Sequence, residues 1–221
     1  MNKWKALLGI WGAFFSIQSQ GFTTETTAMM ESPLNFGLDI QYSAINYRNY
    51  TFTDTDTNSQ VGHAVHVAFE WLPIKSVGKL GIGLASAGVF GLSNVELSGN
   101  RYASLNVLPL EAFLSYRAEY VHQQVLVPYV KAGASVLWVR QTSETGAGVP
   151  GTRTYYGRDL SLGLEICLSR IDPEASRKLD RSVGINSTYL VLEYTQSRSI
   201  SPAGSPDLSH EAYRAGLRFE L

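Results

Sequence analysis

The last nine residues of the chain, Tyr213-Arg214-Ala215-Gly216-Leu217-Arg218-Phe219-Glu220-Leu221, alternate strictly between apolar and polar side chains. Successive side chains of an extended strand point to opposite faces, so this stretch predicts a β-strand with one apolar and one polar face. The alternation reaches the final residue, a position where soluble domains usually fray. Taken alone, the stretch also fits an amphipathic strand that closes a soluble sandwich.

The same two-faced pattern recurs along the chain and predicts eight strands. In the clearest of them, aliphatic residues from Leu160 to Leu168 alternate with Asp159, Ser161, Gly163, Glu165 and Cys167. Eight alternating stretches without an intervening long helix indicate an all-β fold. The predicted strands cover residues 34–47, 61–72, 79–92, 105–120, 126–141, 155–169, 187–196 and 209–221.

The connections between the predicted strands alternate in length. Polar segments rich in Thr, Ser, Asn, Gly and Pro follow the odd-numbered strands, at residues 48–60, 93–104, 142–154 and 197–208. The links at 73–78 and 121–125 are short, whereas the link at 170–184 is longer. In that link, Asp172-Pro173-Glu174 predicts the start of a short helix that ends near Gly184. Long and short connections in alternation are typical of outer-membrane barrels.

The composition indicates that some apolar residues lie on the surface of the protein rather than in a buried core. Only 17% of residues are charged, against about 25% in soluble domains. After Ile17 no segment is apolar for the roughly 20 residues that a membrane helix needs. The single cysteine, Cys167, excludes an intramolecular disulfide. A net charge of −1 gives no basic surplus for binding nucleic acid, and no cofactor or metal site is predicted.

The first residues predict an export signal. Lys3 and Lys5 form a positive start, an apolar run extends from Ala6 to Ile17, and small residues follow. The sequence therefore divides into a signal peptide at 1–20, a polar lead at 21–33 and a barrel at 34–221.

The non-apolar faces of the strands indicate a narrow interior rather than a water-facing surface. They are rich in Gly, Ala and Ser, and they carry a small number of charges of both signs. An eight-stranded barrel has room only for such a set, paired as a polar network. The predicted lumen network is Asp39, Glu70, Glu111, Arg117, Lys131, Glu165, Glu193, Arg214 and Arg218.

Aromatic residues near the strand ends predict girdles at two membrane interfaces. The girdle residues are Trp71, Tyr116, Tyr120 and Phe219 toward the periplasmic end, and Tyr42, Tyr47, Phe90 and Trp138 toward the outside. The fold predicted from these features is an eight-stranded antiparallel transmembrane up-and-down β-barrel, with a short helical turn between strands six and seven. Its predicted location is the bacterial outer membrane.

The terminal strand resembles the C-terminal assembly signal of bacterial outer-membrane barrels. Arg214, Gly216, Phe219 and Leu221 match that signal, although it most often ends on an aromatic residue. Together with the export signal and the loop asymmetry, the chain resembles the OmpA/OmpX class of small outer-membrane barrels. The resemblance implies contact with outer-membrane lipids and with the barrel assembly machinery.

The predicted role is non-catalytic, either in membrane integrity or in contact with a surface ligand through the four long loops. One alternative is a lipid A acyl hydrolase, because Ser209-His210-Glu211 begins the last predicted strand near the outer edge. Consecutive strand residues point to opposite faces, so these three cannot form a triad among themselves. A secreted, soluble lipid-binding barrel is the other alternative.

Overall fold

The computed structural model describes residues 36–47, 61–75, 78–90, 95–96, 102–121, 123–143, 152–200 and 208–221. Within these residues, eight long strands form a closed antiparallel barrel. The strands are β1 (Phe36–Tyr47), β2 (Val61–Ile74), β3 (Lys79–Phe90), β4 (Tyr102–Arg117), β5 (Leu126–Ser143), β6 (Thr152–Cys167), β7 (Ser187–Ile200) and β8 (His210–Glu220). A two-residue strand, Val95–Glu96, pairs with the start of β4. The predicted signal peptide and polar lead lie outside the described residues.

Each strand pairs with its sequence neighbours, and β8 pairs back onto β1 to close the barrel. The register is staggered. A path along directly paired residues from Phe36 once around the barrel returns to β1 at Asn46, ten residues further along. In a barrel of eight strands such a stagger accompanies a strand tilt of about 40°. Because the barrel is closed, each of the eight long strands has a hydrogen-bonded neighbour on both sides.

The two faces of the strands are distributed as the alternation predicts. Leu84, Leu114 and Leu162 are exposed by 58–60% on the outside of the barrel. The inward positions between such residues are buried and largely polar. This arrangement is opposite to that of a soluble lipid-binding barrel, whose apolar face lines its interior. The fold therefore argues against the soluble alternative.

Several predicted boundaries are wrong at the end of the barrel where the long connections lie, called here the loop end. Residues 142–143, 152–154 and 197–200 belong to strands rather than loops. Their sequence is mostly polar, yet Ser197 and Ser199 still pair with Asp159 and Gly157. A backbone ladder needs no apolar alternation once the strand leaves the apolar band. The cores of the four predicted loops lie outside the described residues, apart from Val95–Glu96.

Two helices connect β6 and β7 at the opposite end, called here the terminal end because β1 begins and β8 ends there. They are α1 (Leu168–Ile171) and α2 (Pro173–Val183). The predicted helical turn is confirmed, and its caps follow the sequence: Asp172 Oδ1 accepts a hydrogen bond of 3.0 Å from the Ala175 amide. Gly184 ends α2 in the left-handed region, with φ of 72°.

The onset of α1 corrects the prediction that β6 continues to residue 169, since the strand ends at Cys167. Similarly, β4 ends at Arg117 rather than at residue 120. Neither helix of the described residues is long and apolar enough to cross a membrane.

Candidate functional site

Charged side chains from all eight long strands converge in the lumen. Inward alternation places all nine residues of the predicted network on the interior face, and most of them are buried. Burying isolated charges is costly, so their pairing decides whether the interior is stable. The pairs lie in layers from the terminal end to the loop end.

Two arginines occupy the half of the lumen that is nearer the terminal end. Arg117 of β4 and Arg218 of β8 are both fully buried. Glu70 Oε2 lies 2.5 Å from Arg117 Nη2 and 2.8 Å from Arg218 Nη1. Glu165 Oε1 accepts from Arg117 Nε at 2.8 Å, and Asp39 Oδ1 accepts from Arg218 Nη1 at 2.9 Å. Each guanidinium therefore pairs with at least two carboxylates from other strands.

Glu193 of β7 is the hub of the middle layer. Its carboxylate accepts hydrogen bonds from the Tyr129 hydroxyl at 2.7 Å, the Thr195 hydroxyl at 3.0 Å and Arg214 Nη1 at 2.8 Å. Lys131 Nζ lies 3.0 Å from the same carboxylate. Lys131 Nζ also donates to Asp39 Oδ2 at 3.3 Å. Because Asp39 also pairs with Arg218, this bond connects the middle layer to the two arginines. The result is one continuous chain of ion pairs.

A smaller cluster closes the terminal end. Lys79 Nζ lies 2.7 Å from Glu119 Oε2 and 2.8 Å from Glu220 Oε2. Glu119 follows the end of β4. Burial raises the pKa of its carboxyl above the ordinary value, and the nearby Glu220 carboxylate raises it further, whereas the Lys79 ammonium lowers it. Arg218 Nε approaches Glu220 Oε1 at 3.7 Å, so this cluster continues the chain of pairs.

Near the loop end, the polar interior is followed by an apolar layer. A cavity of about 30 Å³ lies among His66, Glu111, Asp159 and Arg214. Within the described residues, neither Glu111 nor Asp159 forms an ion pair, so the predicted network thins here. Beyond it lies a buried apolar cluster that includes Ile45, Tyr47, Val107, Leu137, Val139, Tyr155 and Leu208. The inward face is thus not polar along its whole length.

The structure corrects two positions of the predicted girdle, Tyr47 and Tyr42. Tyr47 is only 3% exposed and lies inside the barrel in the apolar cluster, because it shares the inward alternation of Ser43 and Ile45. Trp71, Tyr116, Tyr120, Trp138 and Phe219 lie on the outside or at the strand ends. Tyr42 also faces outward, but it lies in mid-strand, and its hydroxyl is 2.6 Å from His63 Nδ1. Phe90 pairs with His63, and its side chain lies outside the described part of the chain.

The predicted assembly signal closes the barrel. The Leu221 amide donates a hydrogen bond of 2.9 Å to the Phe36 carbonyl, so pairing continues to the last residue. Phe219 faces outward and Arg214 faces the lumen. At Gly216 a Cβ atom would lie 2.1 Å from the Ile40 carbonyl oxygen, so only glycine permits this approach of β8 to β1.

The Ser209-His210-Glu211 segment lies where β8 begins, and its first two side chains contact the backbone. Ser209 Oγ accepts a hydrogen bond of 3.0 Å from the Ser199 amide. His210 Nδ1 is 3.1 Å from the Leu208 carbonyl oxygen, and its ring packs at 5.2 Å from the ring of Tyr47. A nucleophile needs its base within hydrogen-bond reach, and these contacts join both side chains to the backbone.

The sequence prediction of the lumen network omitted several members. Lys79, Glu119, Asp159 and Glu220 belong to the interior charges, and Tyr129 and Thr195 support Glu193. Their alternation with known inward residues was a usable signal. Glu220, for example, is two residues from Arg218, and Glu119 is two residues from Arg117.

The folded barrel is similar to solved outer-membrane proteins. Neisserial surface protein A (NspA) matches with a TM-score of 0.51 at 11% identity, over 84% of this chain and 96% of its own. The outer membrane protein OprG from Pseudomonas aeruginosa matches with a TM-score of 0.50 at 10% identity, over 84% of this chain and 95% of its own. No family model and no curated protein matches the sequence.

Closure, stagger, an apolar exterior and a charged interior define the class of fold. The chain has the fold of the small eight-stranded outer-membrane β-barrels, as its resemblance to the OmpA/OmpX class predicts. At such low identity the likeness establishes the fold and not the activity.

Proposed function

We propose that the protein is an integral outer-membrane barrel with both termini in the periplasm and a lumen filled by side chains. Its role is non-catalytic: it maintains the membrane or contacts a surface ligand through its extracellular loops. The observation that carries the proposal is the continuous chain of ion pairs from Glu119 to Arg214, which crosses the lumen at successive levels.

Membrane placement follows from the surface. Large aliphatic side chains cover the outside, including Ile40, Val67, Leu84, Leu110, Leu160 and Leu192. In water such a surface would drive aggregation, whereas hydrocarbon accommodates it without cost. Closure supports the same placement, because lipid offers no hydrogen bonds to an open sheet edge. Outer-membrane lipids and the barrel assembly machinery are accordingly the expected partners.

The placement is tested by fractionation and by electrophoresis with and without boiling. We expect the protein in the outer-membrane fraction, as a compact band that shifts when the sample is boiled. A soluble protein whose band does not shift would refute membrane placement.

A filled lumen follows from the size of the barrel and from the cost of separating its charges. Eight strands enclose an interior that side chains can fill. Opening a path would separate Glu193 from Lys131 and Arg214, and would leave buried charges without partners. Planar-bilayer recording of the purified protein tests this part of the proposal. We expect no large, sustained conductance; a stable open channel would contradict it.

The non-catalytic part rests on the contacts of Ser209 and His210 described above. Mass spectrometry of lipid A from cells that express the protein tests it. We expect the acyl-chain pattern of lipid A to match that of cells carrying the empty vector. If expression of the protein removed an acyl chain from lipid A, and a His210→Ala variant left that chain in place, the protein would instead be a hydrolase.

Surface contact is proposed because the long connections all leave the same end of the barrel, on strands that extend to Ser143 and Ile200. A rigid barrel holds such loops in a fixed arrangement, which suits recognition. Replacing residues 50–58 and 144–151 with short glycine-serine linkers tests the proposal. We expect the heat-shifted band to persist while any binding of intact cells to host surfaces or polyanions is lost. Binding that is undiminished without these loops would contradict a loop-borne contact.

A further inference from the structure

Helix α2, at the terminal end, is amphipathic. Ala175, Leu179 and Val183 recur at intervals of four residues, so they form one apolar stripe along the helix. Arg177 and Arg181 lie on the side of the helix opposite this stripe. Glu174 and Lys178 belong to the same polar half of the helix. Such a division predicts that the stripe is covered by something apolar.

The barrel does not cover this stripe. None of the residues of α2 is buried, and Leu179 and Val183 are 38% and 60% exposed. Ile171, which ends α1, is 68% exposed. Three large aliphatic side chains are therefore exposed at the terminal end. In a polar connection of this length, alanine or a polar residue at these positions would form an equally good helix.

The apolar surface of the barrel leads directly into this segment. Along β6, Leu160, Leu162, Leu164 and Ile166 face outward, and α1 begins at Leu168 immediately after the strand. The Ser169 hydroxyl accepts a hydrogen bond of 2.9 Å from the Thr188 amide, which fixes α1 against β7. Asp172 then caps α2. The helix therefore starts at the rim of the lipid-facing band.

The charges of the segment suit a phospholipid surface. Its cations are Arg170, Arg177, Lys178 and Arg181, and its acids are Asp172, Glu174 and Asp180. Two of the acids, Asp172 and Glu174, lie at the helix N-terminus, where they stabilise the helix. Arg177, Lys178 and Arg181 occupy the middle and last turns of α2, where Asp180 is the remaining acid. Amphipathic helices with a basic polar face lie in the plane of the headgroups.

We propose that α2 lies in the headgroup layer of the periplasmic leaflet, with Ala175, Leu179 and Val183 in the lipid and its cations at the phosphates. The occupant of the stripe is the phospholipid leaflet itself, an interfacial anchor beside the barrel. This inference rests on the proposed membrane location. Its consequence is that the β6–β7 connection fixes the depth and tilt of the barrel.

Spin labels on single cysteines test the proposal in vesicles of phosphatidylethanolamine and phosphatidylglycerol. In a Cys167→Ser background, Leu179→Cys places a label on the stripe and Arg177→Cys places one on the polar side. Leu162→Cys labels the barrel band as a reference. We expect the label at 179 to be more accessible to oxygen than to a water-soluble nickel chelate, like the label at 162. The label at 177 should show the reverse preference.

The reference label separates two kinds of failure. If the label at 162 is in lipid while those at 177 and 179 are equally aqueous, the helix inference is wrong and the barrel placement stands. If the label at 162 is also aqueous, the membrane location itself is wrong. A label at 179 that is aqueous in lipid vesicles but shielded in native outer membranes would overturn the lipid assignment in favour of a periplasmic protein. Each variant must retain the heat-shifted band, which establishes that its barrel is folded.

Discussion

Arg117 and Arg218, two fully buried guanidinium groups on strands β4 and β8, share one carboxylate, Glu70. Glu165 stands on their other side, 2.8 Å from Arg117 Nε and 3.9 Å from Arg218 Nε. Two positive and two negative groups thus alternate around a small area of the lumen. Such an arrangement converts repulsion between the arginines into a cross-link between strands that are distant in the sequence.

Replacement of Glu70 by glutamine tests this cross-link. The side chain keeps its shape and loses its charge, so both arginines lose a shared counter-ion in a buried site. We expect the free energy of unfolding to fall by about 3 kcal/mol, within the range for breaking a buried ion pair. Urea titration in detergent, followed by tryptophan fluorescence, measures the change. Glu174→Gln on exposed α2 is the matched control and should leave the urea midpoint close to that of the parent.

Glu193 should matter more than any one of its partners. Glu193→Ala leaves Lys131 and Arg214 without their closest carboxylate, whereas Arg214→Ala leaves Glu193 still bound by Lys131 and Tyr129. We expect both variants to unfold at lower urea, with the larger shift for Glu193→Ala. Neither should produce a large conductance in planar bilayers, because neighbouring side chains still fill the section. Equal shifts in the urea midpoint would argue against the role of Glu193 as the hub.

Gly163 is predicted to be intolerant of a side chain. A Cβ atom there would lie 2.3 Å from the ring of Tyr129, whose hydroxyl donates to Glu193. Gly163→Ala must displace the ring and weaken that bond, at a cost of about 1–3 kcal/mol for overpacking. The loss is read from the urea midpoint in detergent. Ala134→Val adds methyl groups on the outward face and should cause little loss; a similar loss in both would mean that the Tyr129 contact is not the cause.

The terminal pairing should control assembly more than the stability of the finished barrel. Deletion of Leu221 removes the hydrogen bond between its amide and the Phe36 carbonyl, where β8 closes on β1. We expect less heat-shifted protein in the outer membrane during expression, with unfolding of the assembled fraction almost unchanged. Pulse-labelling followed by electrophoresis without boiling measures the rate. Leu221→Phe, which restores the usual aromatic ending, should assemble at least as fast as the parent; slower assembly would contradict the prediction.

Alternation along the chain predicts the strands, their number and their outward apolar face, and the capping residues predict the helix between β6 and β7. A period of two fixes which residues share a face, and Asp172, Pro173 and Gly184 mark the helix ends through local backbone preferences. These signals are local, so a single sequence carries them. The apolar band ends before the strands do, however, so the sequence predicts loops where β5 and β7 extend to Ser143 and Ile200.

The tertiary structure decided which inward charges meet and where the polar interior stops. Asp39 and Arg218 are far apart in the sequence, and only closure between β1 and β8 brings their charged groups to 2.9 Å. Tyr47 is an aromatic residue at a strand end, which suits either a girdle or the lumen, and its inward position places it in the apolar cluster near the loop end. The sequence by itself determined the face of each residue, because alternation is a property of one strand. The stagger of all eight strands determined its partners, because that stagger sets the level at which each side chain enters the lumen.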